Sequence, residues 1–143
     1  MDTIDTTVKT KNDAQVDIVS ATKVANMYNE SRPWGSFYNL ADGEYKMKII
    51  TVNPKSELSV QSHQKRSEKW ICIEGSLTVN LGHIPEKLTE YTIFPNQIID
   101  IPVGTIHQAV NKTNTPIVFF ELQTGTYFGE DDIVRYSDIY GRL

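Results

Sequence analysis

"SEKWICIEGSLTVNLG" (residues 67–82) sets two runs rich in apolar, β-branched and aromatic residues on either side of Gly75. Side chains of an extended chain alternate between two faces. Glu68, Trp70 and Cys72 therefore share one face, and Lys69 and Ile71 take the other. Gly75 suits a tight hairpin between the two runs. The same pattern continues outward. "EYKMKIITV" (44–52) alternates and ends in "NPKS", and "KLTEYTIF" (87–94) stops at "PNQ". "IIDIPVG" (98–104) closes on a Pro-x-Gly turn, and "IHQAVNK" (106–112) is joined to "PIVFFELQTG" (116–125) by "TNT". About eight short strands broken by turn residues predict an all-β sandwich or barrel.

The two ends read differently. Residues 1 to about 15 are polar and lack apolar periodicity, which predicts a mobile tail. In "VDIVSATKVANMYNE" Ser20 is placed to cap a short helix with Val24, Met27 and Tyr28 on one face. Pro33 in "RPWG" then starts a turn. The expected organisation is a tail and short helix over residues 1–30 and one β domain over 31–143. Asp131 and Asp132 precede an apolar-spaced segment in "GEDDIVRYSDIYGRL" (129–143), which predicts a last helical turn.

At 143 residues the chain is long enough for a single domain with its own core. Cys72, its only cysteine, has no partner for an internal disulfide, which fits a reducing, cytoplasmic setting. There is no signal-peptide pattern at the N-terminus and no apolar run long enough for a bilayer, so no membrane partner is expected. A net charge of −4 with scattered basic residues argues against nucleic acid. It leaves room for a small anion held by a few converging cations.

Chemistry gathers in "LSVQSHQKRSEKW" (58–70). If residues 59–65 are extended, Ser59, Gln61, His63 and Lys65 point one way. A turn at Arg66 and Ser67 then brings Glu68 round to meet them, and His107 follows the turn of "PVGTIHQAVN" on another strand. Imidazoles and a carboxylate on separate strands suit Zn²⁺, Mn²⁺, Fe²⁺, Co²⁺ or Ni²⁺ with positions left open. They equally suit polar strands whose histidines are merely hydrogen-bonded.

"RPWGSF", "YKMKIITVNP", "LSVQSH", "EKW", "IPVGTIHQAVN", "ELQTG" and "GEDDIVRYSDIYGR" together resemble the type II mannose-6-phosphate isomerase cupin, over residues 32–142. In many of its relatives that domain follows a mannose-1-phosphate guanylyltransferase. The resemblance implies a jelly-roll barrel holding a divalent metal and interconverting mannose 6-phosphate and fructose 6-phosphate for polysaccharide precursor synthesis. His63, Glu68, His107, Arg66 and Trp70 match family positions, and Gln61 matches a glutamine that is a ligand in the related type I isomerases. Lys65 and Lys69 stand where the family has histidines, and Lys55 stands where it has glycine. An inward Lys65 could not ligate without losing a proton, so the metal site is reduced to His63, Glu68 and His107, with Gln61 as a fourth. No Gly-rich nucleotide loop is present, and nucleotidyl transfer is not expected.

For isomerisation, Arg66 would stabilise an enediolate, and Lys65 would replace lost positive charge or act as base. Glu121, flanked by phenylalanines, is the candidate buried acid, with Gln123 on the same face. Lys46 and Lys48 are either pocket cations or an exposed stripe. Arg135 either pairs with Asp131 or Asp132 or holds phosphate; Tyr127 and Trp34 are packing residues. A homodimer that covers exposed strand edges is expected. The alternative is a non-catalytic cupin that binds a sugar phosphate through a degenerate metal site.

Overall fold

The structure, a computed structural model, describes residues 29–142. The expected tail and the helix around Ser20 to Tyr28 lie outside those residues. Twelve strands are present: β1 (Asn29–Arg32), β2 (Gly35–Asp42), β3 (Lys46–Val52), β4 (Ser56–Glu57), β5 (Val60–Ser62), β6 (Arg66–Glu74), β7 (Leu77–Gly82), β8 (Thr89–Ile93), β9 (Ile98–Ile101), β10 (Ile106–Asn111), β11 (Ile117–Gly125) and β12 (Val134–Ser137). One sheet has the order β1-β2-β3-β11-β6-β9 and the other β12-β5-β10-β7-β8, with β4 also on β10. Every pairing is antiparallel. This is the two-sheet barrel expected of a cupin. β1 straddles the boundary expected at residues 30/31.

Connections that read as hairpins are corners between sheets. β6 and β7 flank Gly75 yet lie in different sheets, and so do β5 and β6. Gly75 has φ +84°, and a Cβ there would come within 2.5 Å of Ile117 Cγ2, so the corner needs glycine. The C-terminal segment is also corrected. The expected helical turn is strand β12, which pairs with β5 through Val134–Ser62 and Arg135–Gln61. Asp131 and Asp132 look like a helix start but belong to the loop before it, where both side chains accept hydrogen bonds.

The apolar core fills one end of the barrel. Val52, Cys72, Leu77, Val79, Ala109, Ile117 and Phe119 are fully enclosed between the sheets. Burying each large apolar side chain contributes about 1.5–3 kcal/mol. Asn111 closes this end: its amide donates to the carbonyls of Val52, Asn53 and Thr115, and its Oδ1 accepts from the Thr113 N–H. A buried asparagine so satisfied ties β10 to the β3 and β11 ends. Lys55 adopts φ +54°, the left-handed region that glycine enters freely, while its Nζ donates to the Lys112 carbonyl at 2.7 Å.

Candidate metal centre and polar cavity

At the other end the inward positions of the same strands are polar. Lys46 and Lys48 on β3, Arg66 and Glu68 on β6, and Glu121 and Gln123 on β11 are all buried. The two lysines are thus inner-face cations rather than an exposed stripe. Lys48, Arg66, Glu68 and Glu121 line a cavity of about 80 Å³.

His63, Glu68 and His107 meet there, each buried, with one possible ligand atom apiece and all three atoms within 4.8 Å of one another. Both imidazoles are oriented by backbone carbonyls. His63 Nδ1 lies 2.7 Å from the Asp132 carbonyl and His107 Nδ1 lies 2.9 Å from that of Thr105. A carbonyl only accepts, so each Nδ1 carries a proton, and each Nε2 is turned toward Glu68, at 3.3 Å for His63 and 3.8 Å for His107. Burial, the Arg66 charge and then His107 lower the His63 pKa to about 4, so the ring is neutral at physiological pH. Its 3.3 Å approach to Glu68 Oε2 is therefore no ion pair.

Arg66 fills the gap between these atoms. Its Nη2 donates to His63 Nε2 at 3.2 Å and its Nε to Glu68 Oε2 at 3.0 Å. Trp70 Nε1 donates to the other oxygen of Glu68 at 2.9 Å. The donor set fits a divalent ion, two imidazole nitrogens preset by backbone carbonyls and a carboxylate held by Trp70, provided Arg66 yields its two contacts. Gln61 lines the same cavity.

Lys65 is not in it. The turn falls at Gln64 and Lys65, so Arg66 opens β6 facing inward. Lys65 is exposed, its Nζ 5.2 Å from the centre of the Tyr127 ring. The inward lysine expected from strand parity is corrected, because the turn comes two residues earlier than the Arg66–Ser67 turn expected from the sequence. Lys69 faces outward as expected and pairs with Asp100 at 2.6 Å. Asp132 holds the turn through its carboxylate, which accepts from the N–H groups of Gln64 and Lys65.

Glu121 sits on the wall beside this centre. Burial, then the charge of Glu68, push its carboxyl above the usual carboxylate range, against the pull of Lys48, Gln123 and Arg66. Gln123 Nε2 donates to Glu121 Oε2 and leaves its own buried Oε1 without a partner among the described residues. Lys46 and Lys48 both reach Glu130, at 3.5 and 3.3 Å.

Arg135 forms no ion pair with Asp131 or Asp132. It lines the cavity, and its buried Nε lacks a partner among the described residues. Trp34 is a core residue that also touches the cavity, while Tyr127 is exposed and donates to Asp131 rather than packing inside. Sequence reasoning missed Arg32, Glu130 and Arg142, which all line the cavity. The "YGR" ending of the resemblance was the one available signal for Arg142.

Residues 20–138 match the family model described as mannose-6-phosphate isomerase C-terminal. The chain belongs to that family. Among relatives of this isomerase C-terminal domain, the xanthan biosynthesis protein XanB of Xanthomonas campestris pv. campestris is 42% identical over 112 residues, covering 78% of this chain and 23% of XanB. The alginate biosynthesis protein AlgA of Pseudomonas putida is 38% identical over 128 residues, 89% of this chain and 25% of AlgA. The chain thus spans about a quarter of the length of these relatives. Among solved structures, the capsular polysaccharide assembling protein CapF of Staphylococcus aureus superposes with a TM-score of 0.65 at 19% identity, over 74% of this chain and 33% of CapF. Oxalate decarboxylase of Bacillus subtilis, studied for its Mn(II) centres, gives 0.68 at 16% identity, over 79% of this chain and 31% of that one. At such identities the likeness is one of fold. No helix among the described residues is long and apolar enough to cross a membrane.

Proposed function

We propose that this cupin domain binds a divalent metal through His63, Glu68 and His107, with Gln61 adjacent, and isomerises mannose 6-phosphate to fructose 6-phosphate. The observation that carries the reading is the convergence of those three buried ligand groups within 4.8 Å, on a cavity wall shared with Glu121. A bound ion would supply Lewis acidity toward the oxygens at C1 and C2.

The chain's own residues account for the proton. The Glu121 carboxylate removes the proton from C2 of the aldose and returns it to C1, while the hydroxyl proton passes from O2 to O1. A buried acid whose pKa lies above the ordinary carboxylate range is suited both to take and to return a proton. Arg66 and Lys48 stabilise the enediolate between the two transfers. Trp70 keeps Glu68 aimed at the centre through its 2.9 Å bond, and Asp132 does the same for His63.

One observation favours a second reading, a sugar-phosphate-binding domain without catalysis: Arg66 occupies lone pairs that a metal needs. Metal content of the purified protein and a coupled assay of fructose 6-phosphate formation, with Mn²⁺, Co²⁺ or Zn²⁺ added, decide between them. Bound metal with turnover supports the isomerase; neither metal nor turnover with any of the three ions leaves the binding domain. The same proposal includes a cytoplasmic setting, consistent with the lone buried thiol of Cys72, and a homodimer. Outward Tyr38, Ile49, Phe120, Ile71 and Ile98 are aligned across one sheet and would suit a self-contact. Light scattering tests the dimer.

A further inference from the structure

We propose that Arg32, Arg135 and Arg142 form an anion subsite that takes the phosphate of the substrate. This deepens the isomerase reading, on which its sugar component rests. Five cationic side chains line the cavity: these three arginines with Lys48 and Arg66. Three carboxylates, of Glu68, Glu121 and Glu130, line it too. The wall therefore holds a surplus of two positive charges within a chain of net charge −4. A phosphate monoester dianion matches that surplus, and the concave shape concentrates the field on it.

The cations divide by what already holds them. Arg66 is committed to Glu68 and His63, and Lys48 to Glu130. Arg135 makes no side-chain hydrogen bond or ion pair among the described residues, and its Nε is buried without a partner. A guanidinium in that state is expensive unless an anion joins it. Arg142 is pre-oriented by a fork onto Asp138, Nε to Oδ2 at 2.7 Å and Nη2 to Oδ1 at 3.0 Å, which leaves Nη1 over. Arg32 stands 4.9 Å from the centre of the Phe37 ring, with Nη1 on the Ser31 carbonyl at 2.9 Å and Nη2 on a partly exposed Glu30 at 3.2 Å. Planar guanidinium forks fit phosphate oxygens in pairs.

Position fixes orientation. Arg32 ends β1 and Arg135 lies on β12, each a margin strand of its own sheet, whereas Glu68 and His107 stand on the interior strands β6 and β10. A sugar phosphate therefore enters carbonyl end first, with its phosphate left at the margin.

Calorimetric titration of the full chain with mannose 6-phosphate, inorganic phosphate and mannose tests the subsite. The expected result is one site for which the two phosphates compete, with mannose far weaker. Arg135→Gln and Arg142→Gln should each weaken mannose 6-phosphate binding roughly tenfold to a hundredfold, while Arg135→Lys recovers part of the loss. Unchanged affinity in folded Arg135→Gln, or mannose binding as tightly as its phosphate, overturns the proposal. Should Arg142→Gln unfold, Arg135→Gln decides, because removing Arg135 breaks no ion pair among the described residues. Phosphate binding lost in these variants but no turnover in the wild type sinks the isomerase reading alone. Turnover with an unchanged KM in both variants sinks the subsite alone.

Discussion

The two ends of the barrel interior are built from the same three strands by the same alternation, yet they differ completely in chemistry. Along the inner face of β3, Val52 and Ile50 give way to Lys48 and Lys46; along β11, Ile117 and Phe119 give way to Glu121 and Gln123. β6 makes the same change from Cys72 and Trp70 to Glu68 and Arg66. Between β3 and β11 the register sets the changeover at one level, since Phe119 lies opposite Ile50 and Glu121 opposite Lys48. β6 changes one inward position later, with Trp70 opposite Glu121. The lesson is that inward direction and apolar character are separable. The closed end provides the stability from which the open end can hold charges out of water.

Substitutions at the two ends should separate these roles, and the largest effect belongs to the closed end. Phe119→Ala should cost about 3–5 kcal/mol in urea unfolding, with the ligand groups of the open end untouched in sequence. Glu68→Ala strands Arg66 and should cost about 3 kcal/mol. It should also abolish any rise in melting temperature on adding Mn²⁺, and a Mn²⁺-dependent rise that survived would remove Glu68 from the ligand set. Acid should act on the open end of the metal-free protein through His63. Its folded pKa, about 4, lies below its unfolded value of 6.5. Between those values the unfolded chain binds more protons, so stability falls as pH drops from 6.5 and this contribution levels off below about 4. The whole step amounts to roughly 3 kcal/mol, read from unfolding midpoints across that range in wild type and His63→Gln. An outer-face charge supplies the contrast. Lys69→Ala removes an ion pair with both side chains more than half exposed and should change stability by less than about 0.5 kcal/mol.

Strand alternation made most of the barrel legible in the sequence, including the inward set Glu68, Trp70 and Cys72 and the outward Lys69. It could not place the turn before β6, which comes two residues earlier than expected. Lys65 therefore lies in the turn and on the surface, and Arg66 becomes the first inward residue of β6. Gly75 showed that the chain turns, but not that it changes sheet. Arg32 and Arg142 meet at one cavity only after 109 intervening residues have folded, and no local pattern carries that information. Lys55 is a different case. Its occurrence at a family glycine position was visible, and its φ of +54° supplies the reason for glycine there. Lys55→Gly should therefore raise stability by about 0.5–1 kcal/mol, after allowance for the lost bond to Lys112.

The hold of Asp132 on His63 links a residue near the middle of the chain to one 69 places later. A truncated product ending ahead of that aspartate could still pair most of its strands. Its imidazole would be held by Arg66 alone, without the second anchor at Nδ1, and the full set of bonds around it would form only with the last stretch of polypeptide to dock.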